Sequence, residues 1–578
     1  MKKSFKYQLN AVAMALALSA NAWALTPQDG TPDLSLFIPG SQANDPAFGF
    51  LVKNTVVANA VCLDKALPGA LSGTSANTDT TTHIYFNYLS GSPTAAINDN
   101  YSAIYCYTDD TKIPGLTTGD ASNHHKTKLW ISRRRLGASY IGLNAVAHPT
   151  DASAVLTYLA DPTTAGCTAI NGSYSTGGST YQWNYSCSTV SATGTANGIT
   201  GNIPASAATS DITPDVFYAA DNVALPPAGS TLNYAPIQPG QIPTANIHAL
   251  GGHIIGVPVT LVLRNALQYA EISTGQLPST CTVGNDTNPD CMPTLTKQQL
   301  TSLFTGAVSD WSQFQITATK TLYDLIAAAP TGSGVSAPLD TQVHLCRREN
   351  GAGQQVAVLA NLLQYPCLGS TAPELATPQS APYTDVEYAT SLGAVDKCLA
   401  DFNDGTNGWF GTTNPSPYPQ PPCSSAVSSC TTKHGNQWAL SIQTTERNAT
   451  NGANYRFIAI DGAAPTGEAA YLGHYPIIGT YALSWNQANV TANQHLALNA
   501  IAAYSKLPAT IASRNNSLSP QLFGQAGYLS LVDNGFQPPL VWNTSNPTTP
   551  YSRLDSGNHP NACVIPTVNS SYGQAQLF

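Results

Sequence analysis

Charged residues are scarce: they make up 10% of the 578-residue chain, against about a quarter in an ordinary soluble protein. Lys and Arg together number 23 and Asp and Glu 32, a net charge of −9. With no basic excess, nucleic acid is not expected as a partner. The polar surface must be built from Ser, Thr, Asn, Gln and Gly, a texture common in exported proteins and a poor fit to a cytosolic nucleotide-handling enzyme. No CxxC or CxxCH occurs, which removes the usual signatures of zinc ribbons, thioredoxin-like redox sites and c-type haem. There is no Gly-x-Ser-x-Gly elbow, no His-Glu-x-x-His helix and no Walker loop, so no enzyme activity and no cofactor are expected. No internal repeat is visible. Beyond the N-terminus no apolar run is long enough to cross a bilayer. The 27 Tyr and the terminal Phe578 bring an outer-membrane barrel to mind, but regularly spaced alternating strands of roughly ten residues are lacking.

What is present points to an exported globular protein. Hydrophobic residues are 42% of the chain, enough for a sizeable core, and the length suits two to four domains. Lys2, Lys3 and Lys6 precede the short apolar stretch Ala11–Leu18 and the small-x-small Ala22-Trp23-Ala24, the pattern of a signal peptide over residues 1–24. No cysteine follows the cleavage point before Cys62, so no lipid anchor is expected. Twelve cysteines behind an export signal read as disulfides. Cys281–Cys291 and Cys423–Cys430 would staple short polar loops. Cys62–Cys106, Cys167–Cys187 and Cys346–Cys367 pair further neighbours, leaving Cys398 and Cys563 for a long-range bridge. Spacing alone does not fix this connectivity.

Periodicity gives alternating strands and helices, hence an α/β fold with mainly parallel sheet. Strands are expected at Leu34–Ile38, Ile254–Leu263, Val343–Cys346, Tyr455–Ile460 and Tyr475–Leu483. Capping boxes at Thr296–Gln299 and Thr491–Gln494 should open helices, the second stopping before Pro508, and a further helix is expected over Gln354–Leu363. Residues 64–125 and 161–210, rich in Ser, Thr, Gly and Ala, read as insertions or small β-rich decorations, and residues 403–436 as loop. Arg133-Arg134-Arg135 reads as a solvated strand with snorkelling arginines, or functionally as an electropositive lip. His124 and His125 would point to opposite faces of a strand and are not expected to bind metal. Asp401-Phe402-Asn403-Asp404-Gly405 lacks the distal Glu of a calcium loop and reads as an Asx-rich turn.

The stretch with most chemistry is Cys346-Arg347-Arg348-Glu349-Asn350-Gly351-Ala352-Gly353-Gln354, running from a strand into a helix. Its glycines allow close approach of a ligand, the helix start offers free N–H groups, and Arg348 offers a fork for an oxyanion. This segment resembles the Arg-x-Asp-Gly-Ser-Gly-Thr loop of the phosphate-binding proteins of ABC importers. Phe37-Ile38-Pro39-Gly40-Ser41-Gln42-Ala43 is similar to that family's first strand and anion loop, and Leu136-Gly137-Ala138-Ser139 to its second glycine-serine turn. Pro214 to Asp221 resembles its strand ending in Ser-Asp, and Gly256 to Val262 and Tyr475-Pro476-Ile477 its two crossings between lobes. Leu295 to Gly306 with Trp311 is similar to its Leu-x-x-x-x-Leu-x-x-Ile-Phe-x-Gly-x-x-x-x-Trp segment. These islands cover about a third of the chain, in the expected order. Asn350 stands where the family has Asp, Ala352 where it has Ser, Gln354 where it has Thr, and Ala220 where Ser precedes the Asp.

The resemblance implies a two-lobed periplasmic-binding-protein-like fold of type II, with mixed, mostly parallel sheets flanked by helices and disulfide-stapled loops. Lobe one would comprise residues 25–255 and 479–578, and lobe two residues 256–478. It implies an exported monomer, periplasmic or secreted, that captures a phosphate-like oxyanion or small polar solute between the lobes for an ABC permease. The implied ligand residues are Gly40, Ser41, Ser139, Asp221, Arg348, Asn350, Gly351, Gly353 and Gln354. The lost hydroxyls leave open a second reading: a structural or adhesive cell-surface protein that keeps the fold without ligand binding.

Overall fold

The structure, a computed structural model, describes residues 31–41, 61–62, 82–88, 97–108, 113–116, 127–159, 168–176, 179–186, 189–191, 203–226, 230–369, 373–377, 384–405, 435–447, 453–517 and 527–569. The signal-peptide segment, His124, His125 and the pairs Cys167–Cys187 and Cys423–Cys430 involve residues outside this set.

The apolar run at the start folds as β1 (Leu34–Pro39), every residue of which is buried. It lies parallel to β4 (Lys128–Arg134), and the Ser/Thr-rich stretches supply β2 (Thr82–Tyr88), β3 (Ile97–Tyr107), β5 (Thr168–Thr176) and β6 (Ser179–Ser186). The six form one sheet in the order β1-β4-β3-β2-β6-β5. These stretches are thus extensions of the first sheet. Gly137, at φ 89°, turns the chain from β4 into α1 (Ala138–Ala147).

The second sheet is organised around one long strand. After the short β7 (Ala208–Ser210) comes β8 (Ile247–Thr260), buried from Ala249 onward. Thr260 Oγ1 donates to the Gln437 carbonyl, and the chain becomes α2 (Leu261–Ser273), so the strand ends three residues before the expected Leu263. Then follow β9 (Thr294–Leu295), α3 (Lys297–Phe304), β10 (Val343–Arg348) and α4 (Gly353–Val358), which continues as a π turn over Leu359–Leu363. Next are β11 (Thr384–Ala389), α5 (Leu392–Asp404), β12 (Ala439–Ser441) and β13 (Tyr455–Ile460). The last are β14 (Ile478–Ser484), α6 (Ala492–Ser505), α7 (Pro508–Ser517) and β15 (Tyr528–Leu531). The main path is β9-β13-β8-β12-β10-β11. The first half of β8 pairs with β14 and β15, and its second half with β12 and β13. The two strands expected at the crossings therefore meet, with Ile254 opposite Ile478.

Both capping boxes form as expected, with Thr296 and Thr491 accepting from the N–H of Gln299 and Gln494. The sheets are mixed, but the expected parallel majority is absent: of the described strand pairings six are parallel and eleven antiparallel. Five of the eleven belong to β8, which takes every one of its partners antiparallel, and the first sheet adds three more through β2, β3, β4, β5 and β6. Among the described residues no helix is long and apolar enough to cross a membrane.

Four disulfides are described. Cys62–Cys106 and Cys281–Cys291 pair as expected. The expected Cys346–Cys367 bridge does not form: Cys346, on β10, pairs with Cys398 on α5, which packs across that strand. Cys367 pairs instead with Cys563, 196 residues away, so the expected Cys398–Cys563 bridge is replaced as well. Two polar readings also change. Arg133 is 2% exposed and donates to the Ile38 carbonyl at 2.9 Å and to Thr209 Oγ1 at 3.1 Å; Arg135 is buried too. Neither is a solvated or lip arginine. Residues 401–404 are the last turn of α5, closed by Gly405 at φ 74°, rather than a free Asx-rich turn.

Candidate functional site

Three glycine-containing turns from distant parts of the chain meet at Asp211. The first follows β1. Gly40 takes φ 136°, a conformation suited to glycine, and lies so close to the next segment that a Cβ there would sit 2.0 Å from the Thr209 carbonyl oxygen. Its N–H donates to the Arg134 carbonyl and that of Ser41 to the Thr209 carbonyl. Ser41 Oγ donates to Asp211 Oδ1. The second turn opens α1, where Ser139 Oγ donates to Asp211 Oδ2 at 3.3 Å and accepts from the Asp211 N–H at 3.1 Å. The third follows β10. Gly351 has φ 82°, and its carbonyl accepts from the Tyr140 N–H at 3.1 Å. A Cβ on Gly353 would lie 2.3 Å from Ser139 Oγ and 3.0 Å from Asp211 Cβ. Only glycine fits there, and this contact brings α4 against α1.

Ser41, Ser139, Asp211, Arg348 and Gln354 are all buried. Arg348 donates from Nε to the Ala389 carbonyl at 3.1 Å and from a terminal nitrogen to Gln354 Oε1 at 3.4 Å. Burial pushes its pKa down, opposed by the charges of Glu349 and Asp211. Burial likewise drives the Asp211 carboxyl up to about 6, against the Ser41 hydrogen bond, the Arg348 charge and the Ser139 hydrogen bond. Glu349 is pushed up to about 7 by burial, with Arg348 opposing.

A second acid extends the network. Glu446, 5% exposed, accepts from Tyr528 Oη and faces Arg514 at 3.9 Å. Its carboxyl rises to about 7 through burial, opposed by Arg514 and Tyr528 and reinforced by Asp211. His253 lies beside them: a Cβ on Gly479 would touch the Asp211 carbonyl oxygen at 2.6 Å and His253 Nε2 at 2.8 Å. Both ring nitrogens of His253 are buried without a hydrogen-bond partner, and burial lowers its pKa to about 3. It is neutral at ordinary pH.

Of the residues singled out by sequence, Gly40, Ser41, Ser139, Arg348, Gly351, Gly353 and Gln354 belong to this convergence. Asn350 lies beside it, accepting from Arg347 at 2.8 Å. Asp221 stands outside: it is exposed and accepts from Tyr365 Oη at 2.7 Å. The acid at the cluster is Asp211, directly after β7. Ser210-Asp211 supplies the Ser-Asp pair that Ala220-Asp221 lacks, a signal present in the sequence ten residues upstream. Glu446, Arg514, Tyr528 and His253 carried no local motif.

The chemistry is that of a desolvated polar cluster with its own counter-group in place. Two hydroxyl donors suited to an oxyanion are engaged by a carboxylate of the chain, and a guanidinium stands beside them. A solute entering here must take over the Ser41 and Ser139 donors from Asp211, or meet Asp211 as a proton acceptor. Among the described residues no cluster of three or more His, Cys, Asp or Glu is arranged to hold a metal ion.

No family model and no curated protein matches the chain. Solved structures give distant likenesses. PstS from Borrelia burgdorferi is 9% identical, with 83% of this chain and 96% of that one covered at a TM-score of 0.28. An ABC-type phosphate transport receptor from Vibrio cholerae is 11% identical, covering 51% and 73% at 0.24. A phosphate ABC transporter substrate-binding protein with bound phosphate from Clostridium perfringens is 10% identical, covering 46% and 69%, also at 0.24.

Proposed function

We propose that the chain is an exported solute-binding protein of the phosphate-binding type. Residues 1–24 direct export, residues 25–255 with 479–578 form one lobe and residues 256–478 the other. A phosphate-like oxyanion or small polar solute is captured between them, for delivery to an ABC permease. Arg348, Ser41, Ser139 and the backbone of the Gly351–Gln354 turn hold the solute. Asp211 takes the place first expected of Asp221 and is the acceptor for a solute that still carries a proton. The mechanism is binding, not bond breaking.

The observation that carries this reading is the meeting of Ser41, Ser139 and Gly353, from three separate turns, around one buried carboxylate beside Arg348. Buried donors and acceptors gathered at one point are held to defined partners, because each left unmet costs about 1–3 kcal/mol. A different observation favours a structural or adhesive surface protein: the donors are already satisfied within the chain, and the space at Gly353 is filled by Ser139 and Asp211.

The test is a thermal-shift and calorimetric titration of the processed chain with orthophosphate, arsenate, sulfate and small polar solutes. A bound solute at 100 times its Kd adds about 2.7 kcal/mol of stability. Binding that is weakened by Arg348→Ala supports the proposal. Because Arg348 is 4% exposed, this variant should also unfold more easily, so affinity is compared below its melting transition. No response to any of these solutes transfers the reading to the surface protein.

A further inference from the structure

A cavity of about 420 Å³ lies at the far end of the helix that begins at Gly353. It shares no residue with the Asp211 cluster. Its walls come from the π turn at Ala360 and Asn361, from Pro476 and Ile478 entering β14, from Leu531 and Asp533 after β15, and from the tail around Val564. The Cys367–Cys563 disulfide fastens the Gln364–Leu368 turn to that tail and forms part of the lining. The volume falls in the range of small-molecule sites, roughly 300–1,000 Å³.

The lining is amphipathic in a particular way. Arg553 enters it with its guanidinium donating to Asn361 Oδ1 and to the Ala562 carbonyl at 3.4 Å. A guanidinium carries five N–H donors, and these two bonds leave donors to spare. Lys297 also lines the cavity, with no carboxylate ion-pair partner among the described residues. The single carboxylate of the lining, Asp533, accepts from the backbone N–H of Arg553 at 3.1 Å, and burial raises its pKa. Two cations and one acid thus line the cavity, and Asp215, outside the lining, also offsets the Arg553 charge. The remaining wall is mixed: Ile478, Leu531, Val564 and Ile565 stand beside Gln364, Thr480 and Thr549, and at the rim Leu368 and Ile565 are 55% and 74% exposed. An inorganic oxyanion would leave the apolar part of this wall bare, and a hydrocarbon would leave the spare guanidinium donors and Lys297 unanswered.

We infer that this cavity binds an organic anion whose single carboxylate, held by Arg553 with Lys297 nearby, is joined to an apolar chain or ring lying among Ile478, Leu531 and Ile565. This site is independent of the oxyanion reading of the Asp211 cluster, and a solute at one need not compete with a solute at the other.

The experiment titrates the full processed chain calorimetrically with straight-chain alkanoates from butanoate to decanoate and with benzoate, and compares octanoate with octanamide. Affinity should rise roughly fourfold per added methylene, the factor equivalent to about 0.8 kcal/mol, until the cavity is full. Octanamide should bind at least about tenfold more weakly, the lower end of a charged hydrogen bond's worth. Arg553→Gln should abolish the acid–amide difference. Ile565→Trp, at an exposed position, should weaken every alkanoate without lowering the melting temperature. Excess orthophosphate should leave octanoate binding unchanged. No binding at millimolar alkanoate, equal affinity for octanoate and octanamide, or displacement by orthophosphate would overturn the inference. Should Arg553→Gln fail to fold, the acid–amide comparison on the native chain and the Ile565→Trp titration decide it.

Discussion

Ser139 and Asp211 are bonded twice, in opposite senses: the serine hydroxyl donates to the aspartate carboxylate at 3.3 Å and accepts from its backbone N–H at 3.1 Å. Both residues are buried, so water is not at hand to replace either bond. The pair ties the start of α1 to the end of β7, while Gly353 packs against both side chains. It is at once a structural joint and the floor of the proposed binding site.

Ser139→Ala should therefore destabilise the fold by about 1–3 kcal/mol, the cost of leaving buried polar groups unmet. Urea unfolding of the oxidised protein measures this. A loss under about 0.5 kcal/mol, the range of ordinary surface changes, would mean that the joint relaxes at no cost and that its geometry is incidental.

Gly142→Ala should be destabilising although it places alanine in a helix. A Cβ at Gly142 would lie 2.7 Å from Gly40 Cα and 2.9 Å from the Pro39 carbonyl oxygen, backbone atoms that cannot swing aside. The expected cost is about 1–3 kcal/mol, as for overpacked interiors. Gly393, in α5, is the control: its nearest neighbour to a Cβ is Ser391 Oγ at 3.9 Å, and Gly393→Ala should be neutral or stabilising by up to about 1 kcal/mol. Melting temperatures moving in the same direction for both variants would remove the special role of Gly142.

His344 gives a pH dependence of definite sign. It is fully buried between Asp385, 2.8 Å from Nδ1, and Asp340, 3.1 Å from Nε2. Burial opposes its charge, but the hydrogen bonds and charges of the two aspartates outweigh this and lift its pKa to about 9. Its native pKa exceeds the unfolded one, so its contribution is complete below pH 6.5 and is lost as pH rises through about 9. Glu271, raised to about 8 by burial, slopes the same way, so the informative quantity is the difference from His344→Gln. Urea unfolding at pH 7 and pH 9.5 should show a steeper loss in the native chain than in the variant. Equal losses would mean that His344 is neutral throughout.

Local order was legible where one short segment decides it. Thr296 and Thr491 cap their helices because a hydroxyl and a Gln three residues on act within a single turn. The strand at Leu34 follows from a compact apolar run. The glycine-serine turns at Gly40, Ser139 and Gly353 were visible too, since positive φ or close approach excludes other residues. What a local pattern does not resolve is a choice between equivalent candidates. Asp211 and Asp221 each follow a short polar-apolar stretch, and only the pairing of β7 with β14 puts Asp211 at the cluster. Cys346 had Cys367 as a nearer neighbour in sequence, but α5 brings Cys398 onto the strand. Three consecutive arginines suggested a wet strand, yet the alternation of β4 turns Arg133 inward, where the Ile38 carbonyl and Thr209 receive it. The cavity around Arg553 was invisible in principle, being assembled from segments as far apart as Lys297 and Ile565.

The bond between Cys367 and Cys563 closes a ring of chain that contains β11 to β15 and both helices after β14. A single peptide-bond cut anywhere between residues 368 and 562 opens that ring without dividing the molecule, because each product keeps one of the two cysteines. A protease acting on an oxidised sample would leave one covalent species, which separates into two only after reduction. Damage to this third of the chain thus costs a strand's continuity before it costs the tail, and the wall that the tail contributes is surrendered only when cutting and reduction coincide.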